Sequence, residues 1–500
     1  MRHRELKPWH APIAAMLEQH RRANPVSFHV PGHQFGKGLD RLADDEFAAS
    51  LAVMNTIMGI DVTELSVTDD LHDPAGPIAE AQQLASSCFG AEKTYFLIGG
   101  STSGNIAMIL ASCQPGDRLL VQRNAHKSVI NGLTLAGAEA VFLNPTVEEI
   151  AGLYLPPSLE VVEEALERHP EAKGLLLTNP SYYGLSVDLE PYANFLHTKG
   201  KLLMVDEAHG AHYGQHSAFP TSAVQAGADF VVQSTHKTLH ALTMGAMLHT
   251  QGQLVDHASL RHALQMVQSS SPSYPIMASL DIARAMLDTY GEVWFEPGLM
   301  AIGKVKEALQ DPQGRFEASH VAHNRFRMDP LRLLLQDKRK QLSGYEIQKQ
   351  LEKHHIWAEM ADARRVVLLF GAQTTSADAE RLLQALHRMA EEHSRAESDT
   401  HSNSSGNANQ DESSYPMEAI GAPIAFNRRP FNSAVVNLDA AVGRQAAEMV
   451  VPYPPGIPLL YRGELITASA VRHIRQLALA GARFQGASDP AMRTITVIVP

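Results

Sequence analysis

Seven short apolar runs recur between residues 94 and 250, and most are separated by stretches of helical periodicity. The runs are TYFLI (94–98), RLLVQ (118–122), AVFLN (140–144), GLLLT (174–178), KLLMVD (201–206), DFVVQ (229–233) and MGAMLHT (244–250). SGNIAMILASC (103–113) and LEVVEEALERH (159–169) are among the helical stretches between them. Strands that are apolar throughout have no solvent face, so both faces of their sheet must be covered. Alternation with helices then predicts an α/β fold with a mainly parallel seven-stranded sheet.

In such sheets ligands bind beyond the carboxyl ends of the strands. That rule selects the residues immediately after each run. After the first comes Gly99-Gly100-Ser101-Thr102-Ser103-Gly104-Asn105, opening a helix. Glycines let the backbone approach closely, and the N–H groups of a helix start favour a phosphate. Arg123-Asn124-Ala125-His126-Lys127-Ser128 follows the second run, and Asp206-Glu207-Ala208-His209-Gly210 ends the fifth. An acid in the place of Asp206 can serve a ligand or cap the next helix.

After the sixth run comes Ser234-Thr235-His236-Lys237. A lone lysine is most often a solvated loop residue. Between two apolar strands its ammonium form is disfavoured, and a neutral amine can attack a carbonyl to form a Schiff base. Together these strand ends supply a phosphate cradle, a ring-stacking histidine, a carboxylate and an amine. Pyridoxal 5'-phosphate requires that set: donors for its phosphate, an anion for its ring nitrogen and an amine for its aldehyde.

The 500 residues allow two or three domains. Residues 1–60 read as an irregular N-terminal arm, with PVSFHVPGHQFGKG (25–38) too rich in Pro and Gly for one long helix. DVTELSVTDDLHDPAGPI (61–78) reads as an acidic loop, followed by a helix over 79–90 that Gly90 ends. Residues 61–285 form the expected cofactor-binding large domain, and 286–392 a smaller α+β domain. That smaller domain contains helices GLMAIGKVKEALQ and GYEIQKQLEKHH and strands IWAEMA and RVVLLF. Residues 393–414 are rich in Ser, Asn and Asp and read as a flexible linker. Residues 415–500 form a C-terminal domain with a helix at LDAAVGRQAAEM and a Pro-rich run over 451–464. That run is either a rigid crossing segment or a substrate contact.

The net charge of −12 disfavours unspecific nucleic-acid binding. Cys88 and Cys113 sit in no CxxC pattern, and the 25 histidines fall into no metal-ligand spacing. No apolar stretch approaches the ~18 residues that span a bilayer. The N-terminus has no apolar signal core, which makes the cytoplasm the expected location.

The chain resembles the bacterial Orn/Lys/Arg decarboxylases, pyridoxal-phosphate enzymes of the aspartate-aminotransferase fold (fold type I), in the short form without an N-terminal wing domain. The resemblance rests on FHVPGHQFG, DVTELSVTDDLHDPAGPI, FLIGGSTSGN, QRNAHKS, VDEAHGAH, QSTHKTLHALTMGA and VPYPPGIPLLYRGE. It implies that Lys237 holds the cofactor and that Ser101, Thr102, Ser234 and His236 bind its phosphate. By the same resemblance His126 stacks on the ring, Asp206 pairs with the ring nitrogen, Ala208 packs against the ring and His209 serves the phenolic oxygen. Two positions depart from the family pattern: Met244 stands where Gln is usual, and Arg462 where Pro is usual.

The implied activity is decarboxylation of arginine, lysine or ornithine to a di- or polyamine. Lys237 or a nearby His returns the proton. The substrate's distal cation calls for an anion, for which Glu464, Asp69 and Asp70 are the candidates. A homodimer or higher homo-oligomer with a shared site is expected, with no nucleic-acid or membrane partner. The alternatives are an aminotransferase, aldolase or α-oxoamine synthase of the same fold, or an inactive regulator that kept it.

Overall fold

A computed structural model describes residues 9–41, 47–147, 152–319, 326–399, 418–428, 431–453, 458–479 and 482–499. The main sheet is built from β1 (Lys93–Leu97), β2 (Arg118–Gln122), β3 (Glu139–Leu143), β4 (Gly174–Thr178), β5 (Leu202–Asp206), β6 (Phe230–Gln233), β7 (Ala246–Thr250) and β8 (Ile424–Ala425). Their order across the sheet is β1-β7-β6-β5-β4-β2-β3-β8. β2 runs parallel to β3 and β4, and β5 parallel to β6, whereas β7 is antiparallel to both β1 and β6.

All seven expected strands are present. The sheet has eight strands rather than seven, because β8 pairs antiparallel with the edge of β3. Two residues are too few to leave a periodic signal in sequence, so only pairing reveals this strand.

The chain divides into two compact units. The first contains Met1–Cys113, Lys127–Gly132 and Asp188–Trp294. The supposedly irregular arm carries two helices, α1 (Pro12–Arg22) and α2 (Ala48–Met58). α1 starts on a proline, ends on His20, Arg21 and Arg22, and buries Ile13 and Leu17, which gives a short amphipathic helix between loops. The acidic segment holds only turns until α3 (Pro77–Phe89), which ends at Gly90 with φ +78°. α4 (Gly100–Ser112) follows β1 directly.

The second unit contains Gln114–His126, Leu133–Val187 and Phe295–Pro500. Helices Glu296–Ala308 and Gly344–Lys353 and strand Arg365–Leu369 match the expected elements, whereas IWAEMA yields only Met360–Ala361. Helix Ser376–Asp399 continues through the first residues of the expected linker; 400–414 lie outside the described residues.

LDAAVGRQAAEM is not a helix. It makes one 3-10 turn, Leu438–Ala441, and then Gly443 takes φ +81°. Its backbone pairs outward instead, from Gly443 N to Ile466 O, Ala446 N to Glu464 O and Ala447 N to Thr496 O. Long-range pairing there overrides local helix propensity. A core of its own closes this region, with Leu438, Ala446, Val450, Leu460, Ile474 and Val497 all nearly or fully buried. Among the described residues, no helix is long and apolar enough to cross a membrane, and no group of His, Cys, Asp and Glu is placed to hold a metal.

Candidate active site

In the first unit, the carboxyl ends of β1, β5 and β6 carry most of the expected side chains. α4 begins at Gly100, with φ +71°, and neither a side-chain cap nor an acid occupies its first turn. A helix start of that kind is electropositive and suits an anion. The Ser101 hydroxyl lies 2.8 Å from that of Ser234, which donates to it. Thr102 is exposed at the same helix start.

Met244 and Gly245 tie this cradle to the lysine turn. Gly100 N donates to Met244 O at 2.9 Å, and His236 donates to Gly245 O from both its backbone N (3.2 Å) and Nδ1 (2.9 Å). Met244 holds φ +75° to do so, an uncommon angle for a residue with a side chain. Lys237 is half-buried, and its Nζ lies 3.1 Å from Nε2 of the buried His209.

Asp206 ends β5 and is 2% exposed. Its Oδ1 accepts from Ala208 N at 3.1 Å, so it does cap its own turn. Its Oδ2 accepts from Asn105 Nδ2 at 2.7 Å. Ala208 is buried beside it in sequence. These residues fit pyridoxal phosphate by their chemistry: an uncapped helix start and hydroxyls for a phosphate, a buried carboxylate held by N–H donors for a basic ring nitrogen, and an amine for an aldehyde.

His126 belongs to the second unit, where it is half-buried directly before Lys127. Glu464 is also in that unit and is already paired. Its Oε2 accepts from Arg123 Nη2 at 2.7 Å and from Tyr461 N at 2.9 Å. Arg123 in turn donates to Pro458 O and Leu459 O and lies 5.1 Å from the Tyr461 ring centroid. The described part of the Pro-rich run therefore packs on Arg123.

Asp69 serves its own loop. Its Oδ1 accepts from Asp70 N and Ala75 N, and its Oδ2 from Gly76 N, Ile78 N and Ala79 N, which caps α3. Burial works to raise this carboxyl's pKa, but the backbone donors outweigh it and hold the group below the usual carboxylate range. Asp70 spends Oδ1 on His72 N at 2.8 Å.

Two features were not read from sequence. One is Asn105, fully buried on α4. The other is a buried polar chain beginning at Glu207. Gln233 Nε2 donates to Glu207 Oε2 (2.8 Å), His249 Nε2 meets Gln233 Oε1 (3.0 Å), and Thr94 Oγ1 meets His249 Nδ1 (2.8 Å). Burial pushes Glu207 up to about 8 and His249 down to about 3. The signal available in sequence was a polar residue inside an otherwise apolar strand, as at Gln233 and His249.

Residues 11–314 match the Orn/Lys/Arg decarboxylase major domain, and residues 408–489 the C-terminal domain of the same family. The chain is 40% identical over 486 residues to a Bacillus subtilis (strain 168) protein named "Uncharacterized protein YaaO", covering 95% of this chain and 96% of that one. It is 34% identical over 491 residues to an arginine decarboxylase of the same organism, covering 97% of each. Among solved structures, a lysine decarboxylase A from Pseudomonas aeruginosa superposes with a TM-score of 0.80 at 21% identity, covering 98% of this chain and 80% of that one. The cofactor of this family is pyridoxal 5'-phosphate, the group whose chemistry the strand-end residues fit. On the match of both domains and of nearly full-length relatives, the chain belongs to the Orn/Lys/Arg decarboxylase family.

Proposed function

We propose that the enzyme decarboxylates a basic amino acid, with arginine expected ahead of lysine and ornithine. The observation that carries this reading is the half-buried Lys237 amine, 3.1 Å from His209, in the same unit as the buried Asp206 carboxylate and the uncapped start of α4. Arginine comes first because relatives matched over nearly their whole length bear the name arginine decarboxylase. The product is the corresponding amine, a precursor or member of the polyamines, and the cytoplasm is the proposed location.

In this reading Lys237 Nζ binds the cofactor aldehyde, and Ser101, Thr102, Ser234, His236 and the α4 backbone hold the phosphate. Asp206 pairs with the ring nitrogen, Ala208 lies against the ring and His126 stacks on it. When bound, the cofactor supplies an electron sink for the pair left behind as carbon dioxide departs. Lys237 Nζ and His209 Nε2 share a hydrogen bond, so a proton held between them is available for return to carbon. The substrate's distal cation meets an acid. Asp70 is the first candidate, since Glu464 is paired with Arg123 and Asp69 caps α3.

A homodimer or a higher homo-oligomer is proposed as well. α2 is apolar, yet none of its residues is buried, and Val53 is 59% exposed. A face of that kind suits a second copy of the chain.

The test is carbon dioxide release from arginine, lysine and ornithine, with the product identified, together with borohydride trapping. Release from one of the three and label on the Lys237 peptide are expected. Transamination or condensation products in place of carbon dioxide, or label at another lysine, would overturn the reading.

A further inference from the structure

Asn105 is fully buried in the second turn of α4, a position where Asn is a poor choice for helix formation. Both of its N–H bonds are used, one to Asp206 Oδ2 at 2.7 Å and the other to Ser128 Oγ at 2.9 Å. Its own carbonyl Oδ1 is buried and finds no hydrogen-bond partner among the described residues. Turning the amide over would set Oδ1 against the Asp206 carboxylate oxygen, where two acceptors would meet, and only the Ser128 hydroxyl could answer it by donating.

The helix is brought close enough by Gly104. A Cβ there would stand 2.7 Å from Leu97 Cδ1 and 2.9 Å from Val232 Cγ1, so only glycine lets α4 lie this near β1 and β6. The amide NH₂ is thus the end of the side chain that the fold uses, and it points at the carboxylate that ends β5.

We infer that Asn105 is a positioning residue that aims the Asp206 carboxylate at the ring nitrogen of the cofactor. The inference rests on the proposal that Asp206 pairs with that nitrogen. Ala208 N holds Oδ1 from the turn below, and Asn105 holds Oδ2 from the helix. With two N–H donors from different elements, the carboxylate has one orientation; with Ala208 N alone it can swing about its Cβ–Cγ bond. A hydrogen bond to a charged group held in this way sets a loss of roughly ten- to hundredfold in kcat when it is removed.

The experiment uses holoenzyme reconstituted with cofactor labelled with ¹⁵N in the ring, comparing wild type with Asn105→Leu, Asn105→Ala, Ser128→Ala and Asp206→Ala. The readouts are the ring-nitrogen NMR shift, the melting temperature, and kcat and KM separately. Asn105→Leu is expected to move the ring-nitrogen resonance toward the unprotonated position and to lower kcat by the stated factor, with KM little changed. Asn105→Ala also removes the N–H donors and is the better helix former, so it should move the resonance in the same direction and serves if the Leu variant fails to fold. Ser128→Ala removes the other bond of the amide and should leave the resonance in place. A resonance that moves in Asp206→Ala but stays at the wild-type position in both Asn105 variants overturns the positioning role and leaves the site reading intact. A resonance unmoved in Asp206→Ala shows that Asp206 does not hold the ring nitrogen, and the role of Asn105 falls with that reading.

Discussion

Asp206 and Glu464 are both acids that the sequence singles out, and the fold treats them in opposite ways. Asp206 is buried against neutral donors, the Asn105 amide and the Ala208 N–H. Glu464 is paired with a guanidinium that is itself buried, stacked over Tyr461 and bound to two backbone carbonyls. Neutral donors orient a carboxylate without cancelling its charge, which the proposed pairing of Asp206 with a cationic ring nitrogen requires. A guanidinium cancels the charge, which makes Glu464 part of the packing around Arg123. Burying an acid therefore says little about its role until its partners are known.

That contrast can be broken most directly at Asp206. Asp206→Ala should lower turnover by roughly a thousandfold, the upper end for loss of one preorganised electrostatic partner. The fold should survive, because the variant leaves the strand core untouched. Near-normal turnover at a normal melting temperature would place Asp206 with Glu464 as a structural acid.

Glu464→Gln should do the reverse. It leaves the buried Arg123 charge without its carboxylate, at a cost of roughly 3 kcal/mol of stability. KM for the basic substrate should change by no more than about twofold, as expected for a carboxylate neutralised within the chain. Chemical denaturation and steady-state kinetics on the same preparation separate the two effects. A sharp rise in KM with unchanged stability would return Glu464 to the substrate.

The smallest expected effect sharpens the same distinction for groups held neutral by burial. His249 titrates well below its ordinary value in the folded chain, so the unfolded chain takes up a proton first. Stability is then lost as pH falls from about 6.5 toward about 3. Glu207 titrates well above its ordinary value, so the folded chain keeps a proton that the unfolded chain releases. Stability is then lost as pH rises from about 4.5 toward about 8. Glu207→Gln should flatten the upper limb of a melting-temperature profile by a few degrees and leave the lower limb in place. A profile with both limbs unchanged would show that Glu207 stays ionised in its buried chain.

Much of this was legible because it is local. Each of the seven main strands is a mostly apolar run, and the parallel α/β class follows from the helices between them. Lys237, Asp206 and the Gly99–Asn105 turn stood out because chemistry collects at strand ends in such a sheet. Where the signal was short or local propensity misled, the reading failed. Two residues at Ile424–Ala425 cannot show a period, and LDAAVGRQAAEM has the composition of a helix but is drawn into pairing with Ile466, Glu464 and Thr496.

The sequence by itself determined which residues are chemically capable and the order in which the strands present them. Only the tertiary structure decided their partners. Asp206 meets Asn105, 101 residues away, because Gly104 lets α4 settle onto β1 and β6. Glu464 meets Arg123, 341 residues away, and Asp69 turns its oxygens to the start of α3. A charge's role depends on what surrounds it within a few ångströms, and those neighbours come from segments whose approach no local pattern encodes.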